Sequence, residues 1–277
     1  MATVKALVIS GNGTNCERET AFACEQAGAD LVEIVPVWDL VAGEKRLADY
    51  NLLCLAGGFL DGDDLGAARA CANRYRHTRI ADGEKRLWDE LREFVQKGNL
   101  VIGICNGFQL MVKLGLLPLI DTDNFDQSVT LTFNDSGRFE DRWVELLCDQ
   151  QSPCIFTKGI ERFEVPVRHG EGKLVTMNDD LLESLSAKHL IPVRYTRLGD
   201  KLPTEEYPAN PNGSPGGAAG LCDPTGRLFG LMPHPECYLH RTHHPRWTRQ
   251  ADLPEEGLGL RLFRNAVEFL AESGVRS

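Results

Sequence analysis

Cys105 lies in Gly103-Ile104-Cys105-Asn106-Gly107, a G-x-C-x-G pentapeptide between an apolar β-rich run and the helix-like run 108–114. This is the arrangement of a nucleophile elbow with cysteine in place of serine. The chain must reverse tightly there, and glycine on either side removes the Cβ atoms that would clash. Such a turn aims backbone N–H groups, that of Asn106 among them, at an oxyanion, while the dipole of the following helix favours negative charge at the sulfur. The plainer alternative is a buried cysteine ahead of a helix.

A thiolate nucleophile needs a base, and the base needs a group to orient it. Gly230-Leu231-Met232-Pro233-His234-Pro235-Glu236 offers both after a strand-like run. The two prolines restrict the backbone around His234. Residues two apart on an extended chain face the same way, which would bring Glu236 to the far ring nitrogen. Alone, P-H-P-E could be an ordinary loop, but with the elbow it predicts a Cys105–His234–Glu236 triad. Ala56-Gly57-Gly58-Phe59, after another strand-like run, is a third element. Its paired glycines let backbone approach a ligand and offer N–H groups for an oxyanion hole, although a simple strand-to-helix turn would read the same.

The elements that must hold these residues follow an α/β pattern. Strands are predicted over 4–9, 31–37, 52–56 and 100–104, with helices over 17–26 and 85–96. Strands separated by helices predict a doubly wound parallel sheet. Beyond residue 128 the runs 129–133, 143–148, 163–168 and 191–195 are strand-like with no long helix between them, which predicts an antiparallel extension of the same sheet system. A turn-rich loop at 210–217, a last strand at 228–232 and a capping helix at 258–270 complete the reading. No internal repeat or low-complexity linker interrupts the chain, so residues 1–277 are read as one domain.

The 277 residues carry 30 Lys and Arg against 40 Asp and Glu, a formal net charge of −10. That balance, with no basic run, argues against nucleic acid as a partner. Lys5 and the polar 11–14 stretch break the first apolar run, so neither a membrane span nor a secretory signal is expected. Nine scattered cysteines without a C-x-x-C pair predict reduced thiols in the cytoplasm. Cys237, His240, His243 and His244 have spacing that could chelate zinc, but no second ligand pair brackets the run, so a solvated loop and no metal are expected. No Walker or dinucleotide fingerprint is present, which leaves any use of ATP to another chain.

Taken together, the sequence resembles the triad, or class I, glutamine amidotransferase family, whose domain is a flavodoxin-like doubly wound sheet. The matching stretches run nearly the length of the chain: Gly13-Thr14-Asn15-Cys16-Glu17, Gly57-Gly58-Phe59 with Gly62-Asp63, the segment around Cys105, Arg142-Trp143, His169-Gly170-Glu171-Gly172, Asn210-Pro211-Asn212-Gly213-Ser214 and Met232-Pro233-His234-Pro235-Glu236. Within the family, the residues around Cys105 and the N-P-N-G-S stretch resemble glutaminase subunits that supply ammonia to a purine-biosynthetic synthetase acting on formylglycinamide ribonucleotide. The resemblance implies that Cys105 attacks the side-chain amide of L-glutamine, with His234 moving the proton and Glu236 orienting it. It implies an oxyanion site near Gly57, Gly58 and Asn106, contacts to substrate from Phe59 and Gln109, and His169 and Glu171 at the pocket or its rim. It further implies a large synthetase partner that uses ATP and Mg, and leaves open a small third subunit.

The loop after Gly57-Gly58-Phe59 departs from the family. Leu60-Asp61 stands where Ser-Tyr is usual, and Asp64-Leu65-Gly66-Ala67 replaces an Arg-Ala-Gly run, in the loop that would face the synthetase. The basic segment 69–85 has no assigned role. A free-standing cysteine amidase on the same fold, and a scaffold protein without turnover, are the competing readings; the intact triad counts against the second.

Overall fold

The computed structural model describes residues 2–81, 83, 85–120 and 124–273. Its centre is a six-stranded sheet formed by β1 (Lys5–Ser10), β2 (Leu31–Pro36), β3 (Leu52–Leu55), β4 (Leu100–Ile104), β10 (Gly220–Cys222) and β11 (Leu228–Leu231). The spatial order is β10-β11-β4-β3-β1-β2, parallel throughout except for the β10–β11 pair at one edge. Strands β3, β4 and β11 are buried at every position, as expected for strands covered on both faces. The covering helices include α1 (Glu17–Gln26), α4 (Leu87–Gln96), α5 (Asn106–Leu114) and α7 (Leu260–Ser273). The order 2-1-3-4 of the first four strands is the flavodoxin-like winding, and its loops gather at the carboxyl ends of the strands.

The antiparallel runs form two smaller sheets rather than added strands of the central one. β5 (Val129–Phe133) pairs with β8 (Glu171–Thr176), and β6 (Glu140–Cys148) lies between β7 (Arg162–His169) and β9 (Val193–Thr196). They join the edge of the central sheet through an Arg194–Ala218 bridge and the Ala219 N–H to Val193 carbonyl bond of 3.0 Å. A helix unexpected among these strands, α6 (Asp179–Ala187), starts where the Asn178 Oδ1 accepts the Leu181 N–H at 2.9 Å. Strand β8 was also unexpected, because Glu171-Gly172-Lys173 reads as polar turn.

Two further helices were missed. Residue 37 does not extend β2; it opens α2 (Val37–Ala42), since Pro36 ends the ladder. The basic segment contains α3 (Arg69–His77), whose buried Cys71, Ala72 and Tyr75 pack inward while its arginines stay at the surface. The divergent loop ahead of α3 is held firmly: Arg74 bonds Asp61 at 2.8 Å, and the Ala68 N–H donates to Asp63 at 2.8 Å.

The expected need for glycine around Cys105 has a clear source. A Cβ on Gly107 would lie 1.9 Å from the Leu55 carbonyl oxygen of β3, and one on Gly103 would lie 2.5 Å from the Met111 sulfur. Helix α5 can therefore rest on β3 only with a bare α-carbon at 107. Gly107→Ala is expected to cost about 1–3 kcal/mol or more, since backbone and not a flexible side chain must give way. Denaturant melts check this, and an unchanged midpoint would mean that α5 can slide off β3 freely.

Candidate functional site

Cys105 is the N-cap of α5 at φ 51°, ψ −106°, a positive-φ conformation that strains a non-glycine residue and that the tight elbow imposes here. Its N–H donates to the Leu231 carbonyl at 2.8 Å, tying the elbow to the end of the neighbouring strand β11. The chain leaving β11 reaches His234, whose N–H is held by the Pro166 carbonyl of β7 at 2.8 Å. Thus Cys105 and His234 leave adjacent parallel strands at the same sheet edge.

His234 Nδ1 lies 2.6 Å from Glu236 Oε1, and both side chains are buried. Their meeting is not that of an extended chain: Pro235–Cys237 forms a 3-10 turn, and this turn carries the carboxylate back under the ring. Burial opposes the imidazolium, but the Glu236 carboxylate and the Cys105 sulfur outweigh it, so His234 titrates well above an ordinary histidine.

The turn after β3 closes the site from the other side. A Cβ on Gly57 would stand 2.9 Å from the His234 ring and 3.5 Å from both the Cys105 Cβ and the Cys16 sulfur. The Gly57 carbonyl accepts the N–H groups of Asn15 and Cys16 at 3.1 and 3.3 Å, which binds the turn to the loop leaving β1. Neither the Gly58 nor the Asn106 N–H has an acceptor among the described residues.

A cavity of about 230 Å³ opens here, walled by Asn15, Cys16, Glu19, Gly58, Arg168 and Cys237 around Cys105 and His234. The half-exposed rings of Phe59 and Phe139 also line it, with centroids 6.4 Å apart. Sequence reasoning missed Cys16, Glu19, Phe139, Arg168 and Cys237. Arg168 adjoins the H-G-E-G stretch and Cys16 and Glu19 lie in or beside G-T-N-C-E, but nothing in the spacing says that three distant segments meet. The Cys105 thiol donates to the Arg168 carbonyl at 3.6 Å, and Arg168 Nη1 lies 3.3 Å from the Cys237 sulfur. Burial pushes the Cys237 thiol up to about 12.

Other expected site residues stand behind this wall. The Asn106 side chain accepts the Leu60 N–H at 2.7 Å and donates to Asp63 at 2.9 Å and Gln109 at 2.7 Å. Gln109 Nε2 donates to the Glu171 carbonyl at 2.6 Å, so both ends of its amide are engaged within the protein and it is not among the cavity's lining residues. The Glu171 carboxylate accepts the Ala67 N–H at 3.2 Å and holds the divergent loop. Gly57 touches the site through its backbone. The histidine run does not converge: His240 pairs with Glu255 at 2.8 Å, His243 accepts the Leu239 N–H at 3.3 Å, and buried His244 faces Glu164 at 3.5 Å.

His169 is buried behind the triad, with Nδ1 3.0 Å from the Asn134 amide oxygen and its ring against Gly172. The N-P-N-G-S stretch braces that corner, since Asn212 and Ser214 both donate to the Gly172 carbonyl. Burial, joined by the charge of nearby His234, pushes His169 down from 6.5 to about 3. Between those values the unfolded chain binds a proton that the folded protein refuses, so stability should fall as pH drops from about 6.5 toward about 3, by on the order of several kcal/mol. His169→Gln is expected to flatten this acid limb. Denaturant midpoints across pH check it, and parallel curves for the two proteins would count against it.

A family model described as a CobB/CobQ-like glutamine amidotransferase domain matches residues 3–270. A phosphoribosylformylglycinamidine synthase subunit PurQ from Dehalococcoides mccartyi is 44% identical over 97% of this chain and 98% of its own. The PurQ subunit from Methanococcus maripaludis strain S2 is 41% identical over 96% of this chain and 97% of its own. Among solved structures, a chain of PurLQS from Thermotoga maritima superposes with TM-score 0.67 at 27% identity, covering 97% of this chain and 99% of that one. A further glutamine amidotransferase from the same organism, at 16% identity and TM-score 0.53 over 98% of this chain and 100% of its own, shares the fold. With its elbow, its buried His234–Glu236 pair and this match over nearly its whole length, the chain belongs to the CobB/CobQ-like glutamine amidotransferase family.

Proposed function

We infer that the chain is the glutaminase subunit of a phosphoribosylformylglycinamidine synthase, releasing ammonia from L-glutamine for a partner synthetase. The partner uses ATP and Mg to convert formylglycinamide ribonucleotide to formylglycinamidine ribonucleotide, and the complex works in the cytoplasm. The observation that carries the reading is the meeting of Cys105 and His234 at one cavity, with Glu236 bonded to the imidazole, in a chain 44% identical to a PurQ subunit. Among the described residues no helix is long and apolar enough to cross a membrane.

In this reading the Cys105 proton rests on Nε2 of His234 as a thiolate–imidazolium pair, and the sulfur attacks the carboxamide carbon of glutamine. The oxyanion meets the unengaged N–H groups of Gly58 and Asn106, the geometry that such intermediates require. His234 returns the proton to the departing nitrogen, ammonia leaves, and water hydrolyses the glutamyl thioester with the same imidazole as base. Glu236 holds Nδ1 by its 2.6 Å hydrogen bond and so fixes the orientation of the ring. A cavity walled by one guanidinium, Arg168, and one carboxylate, Glu19, suits the α-carboxylate and α-ammonium of a free amino acid. Phe59 and Phe139 stand exposed at the cavity and Leu65 on the loop between Phe59 and α3, apolar surface that a docked synthetase would cover.

Cys105→Ala should abolish glutamine-dependent product formation by the reconstituted complex, a loss on the order of a thousandfold or more. Ammonium salt in excess should still support the synthetase. Loss of both activities in an assembled complex would overturn the division of labour. Arg168→Gln should raise KM for glutamine about tenfold or more while changing kcat little, because a charge-assisted bond to the α-carboxylate is worth about 1.5–3 kcal/mol in ground and transition state alike. An unaltered KM would place the α-carboxylate elsewhere.

A further inference from the structure

Cys16 is a buried thiol that the glutaminase chemistry does not use, yet it lies against the centre of that chemistry. It stands at the N-cap of α1 without capping the helix; its sulfur bonds the Asn15 amide oxygen at 3.2 Å and lies 3.9 Å from His234 Nδ1. Cys16 comes from the loop leaving β1 and His234 and Glu236 from the turn after β11, and one donor atom from each falls within 4.8 Å of the others. No other group of three or more such residues is brought together among the described residues. One oxygen of Glu236, Oε2, is buried without any hydrogen-bond partner, which leaves that carboxylate a free lone-pair face.

We propose that Cys16, His234 and Glu236 form a three-ligand site for a thiophilic divalent cation of the zinc type. One thiolate, one imidazole and one carboxylate is a donor set that borderline-soft ions favour over magnesium or calcium. Ligand atoms about a tetrahedral zinc stand about 3.3–3.7 Å apart, so the sulfur–nitrogen separation of 3.9 Å already suits it. The 2.6 Å pair between His234 and Glu236 must open by under about 1 Å, which the unpartnered carboxylate oxygen permits. Cys16 and His234 line the cavity, which gives the ion an entry path and leaves its fourth position to water. On binding, the ion replaces the Cys16 thiol proton and the Nδ1 proton shared with Glu236, releasing both.

The consequence rests on the glutaminase reading. Imidazole bound to a cation through Nδ1 carries its proton on Nε2, and in that state it cannot accept the proton of Cys105. An occupied site therefore holds the enzyme off while the fold stays intact.

Cobalt(II) is the probe, because thiolate-bound cobalt gives a charge-transfer band in the near ultraviolet, and zinc should bleach that band by displacement. Reduced, metal-stripped full-length protein and Cys105→Ala are each expected to bind one equivalent with the band. Cys16→Ala should lose it and bind more than tenfold more weakly. Glu236→Gln keeps the thiol and should retain the band while weakening binding more than tenfold, which decides the matter if Cys16→Ala does not fold. A band lost in Cys105→Ala but kept in Cys16→Ala puts the ion on the nucleophile and overturns the site. A band in both, unweakened binding by Glu236→Gln, or no stoichiometric binding at micromolar cobalt overturns it equally. Glutaminase activity of the wild type should fall as the band grows, and full activity with the site occupied would overturn the inhibitory role. The band requires no turnover, so it decides the site even if the chain proves not to be a glutaminase.

Discussion

How closely one helix can lie on one strand governs this site. Helix α5 rests on β3 at residue 107 with no room for a methyl group, and Cys105 leaves β4 at a backbone angle that α5 then locks. If α5 stood off by the width of a side chain, the sulfur would lose its place beside His234, and the Asn106 amide would no longer reach the loop after β3. A parallel sheet makes this possible, because its buried strands end together and present consecutive loops at one edge. The nucleophile, the base and the turn of Gly57 and Gly58 are three such loop starts, from β4, β11 and β3.

The features most legible in the sequence were those whose chemistry is local. The elbow is five residues long and its glycines act on immediate neighbours, so Cys105 could be read directly. His234 and Glu236 are two apart, and their pairing was foreseen although the route was not: a 3-10 turn, not an extended chain, brings them together. The central strands were readable because continuous apolar runs bounded by turns are what a doubly covered sheet needs. Helices α3 and α6 were not, since α3 is rich in arginine and α6 opens on acidic residues, and in both only a narrow apolar face is buried.

What the sequence withheld was convergence. Arg168, Glu19 and Cys16 carry ordinary local patterns, and their presence at one cavity follows from sheet order and loop crossing, which no spacing encodes. The family motifs also mixed two kinds of residue. Cys105 and Gly58 face the cavity, whereas the side chains of Asn106, Gln109 and Asn212 form the scaffold behind it, with their amides bonded internally. Buried amides in such a network fix geometry because each lost bond would leave its partner unpaired in a dry interior.

The Asn106 side chain sits next to the nucleophile in sequence and grips the loop after β3 at two points, the Leu60 N–H and the Asp63 carboxylate. Asp63 in turn holds the Ala68 N–H at the start of α3, and Glu171 holds Ala67 from the other side. The loop and the elbow therefore do not have separate freedoms. Displacing the exposed tip at Leu65 by a rigid shift would strain the amide beside Cys105, so a push on the surface and a tilt of the sulfur amount to a single mechanical coordinate.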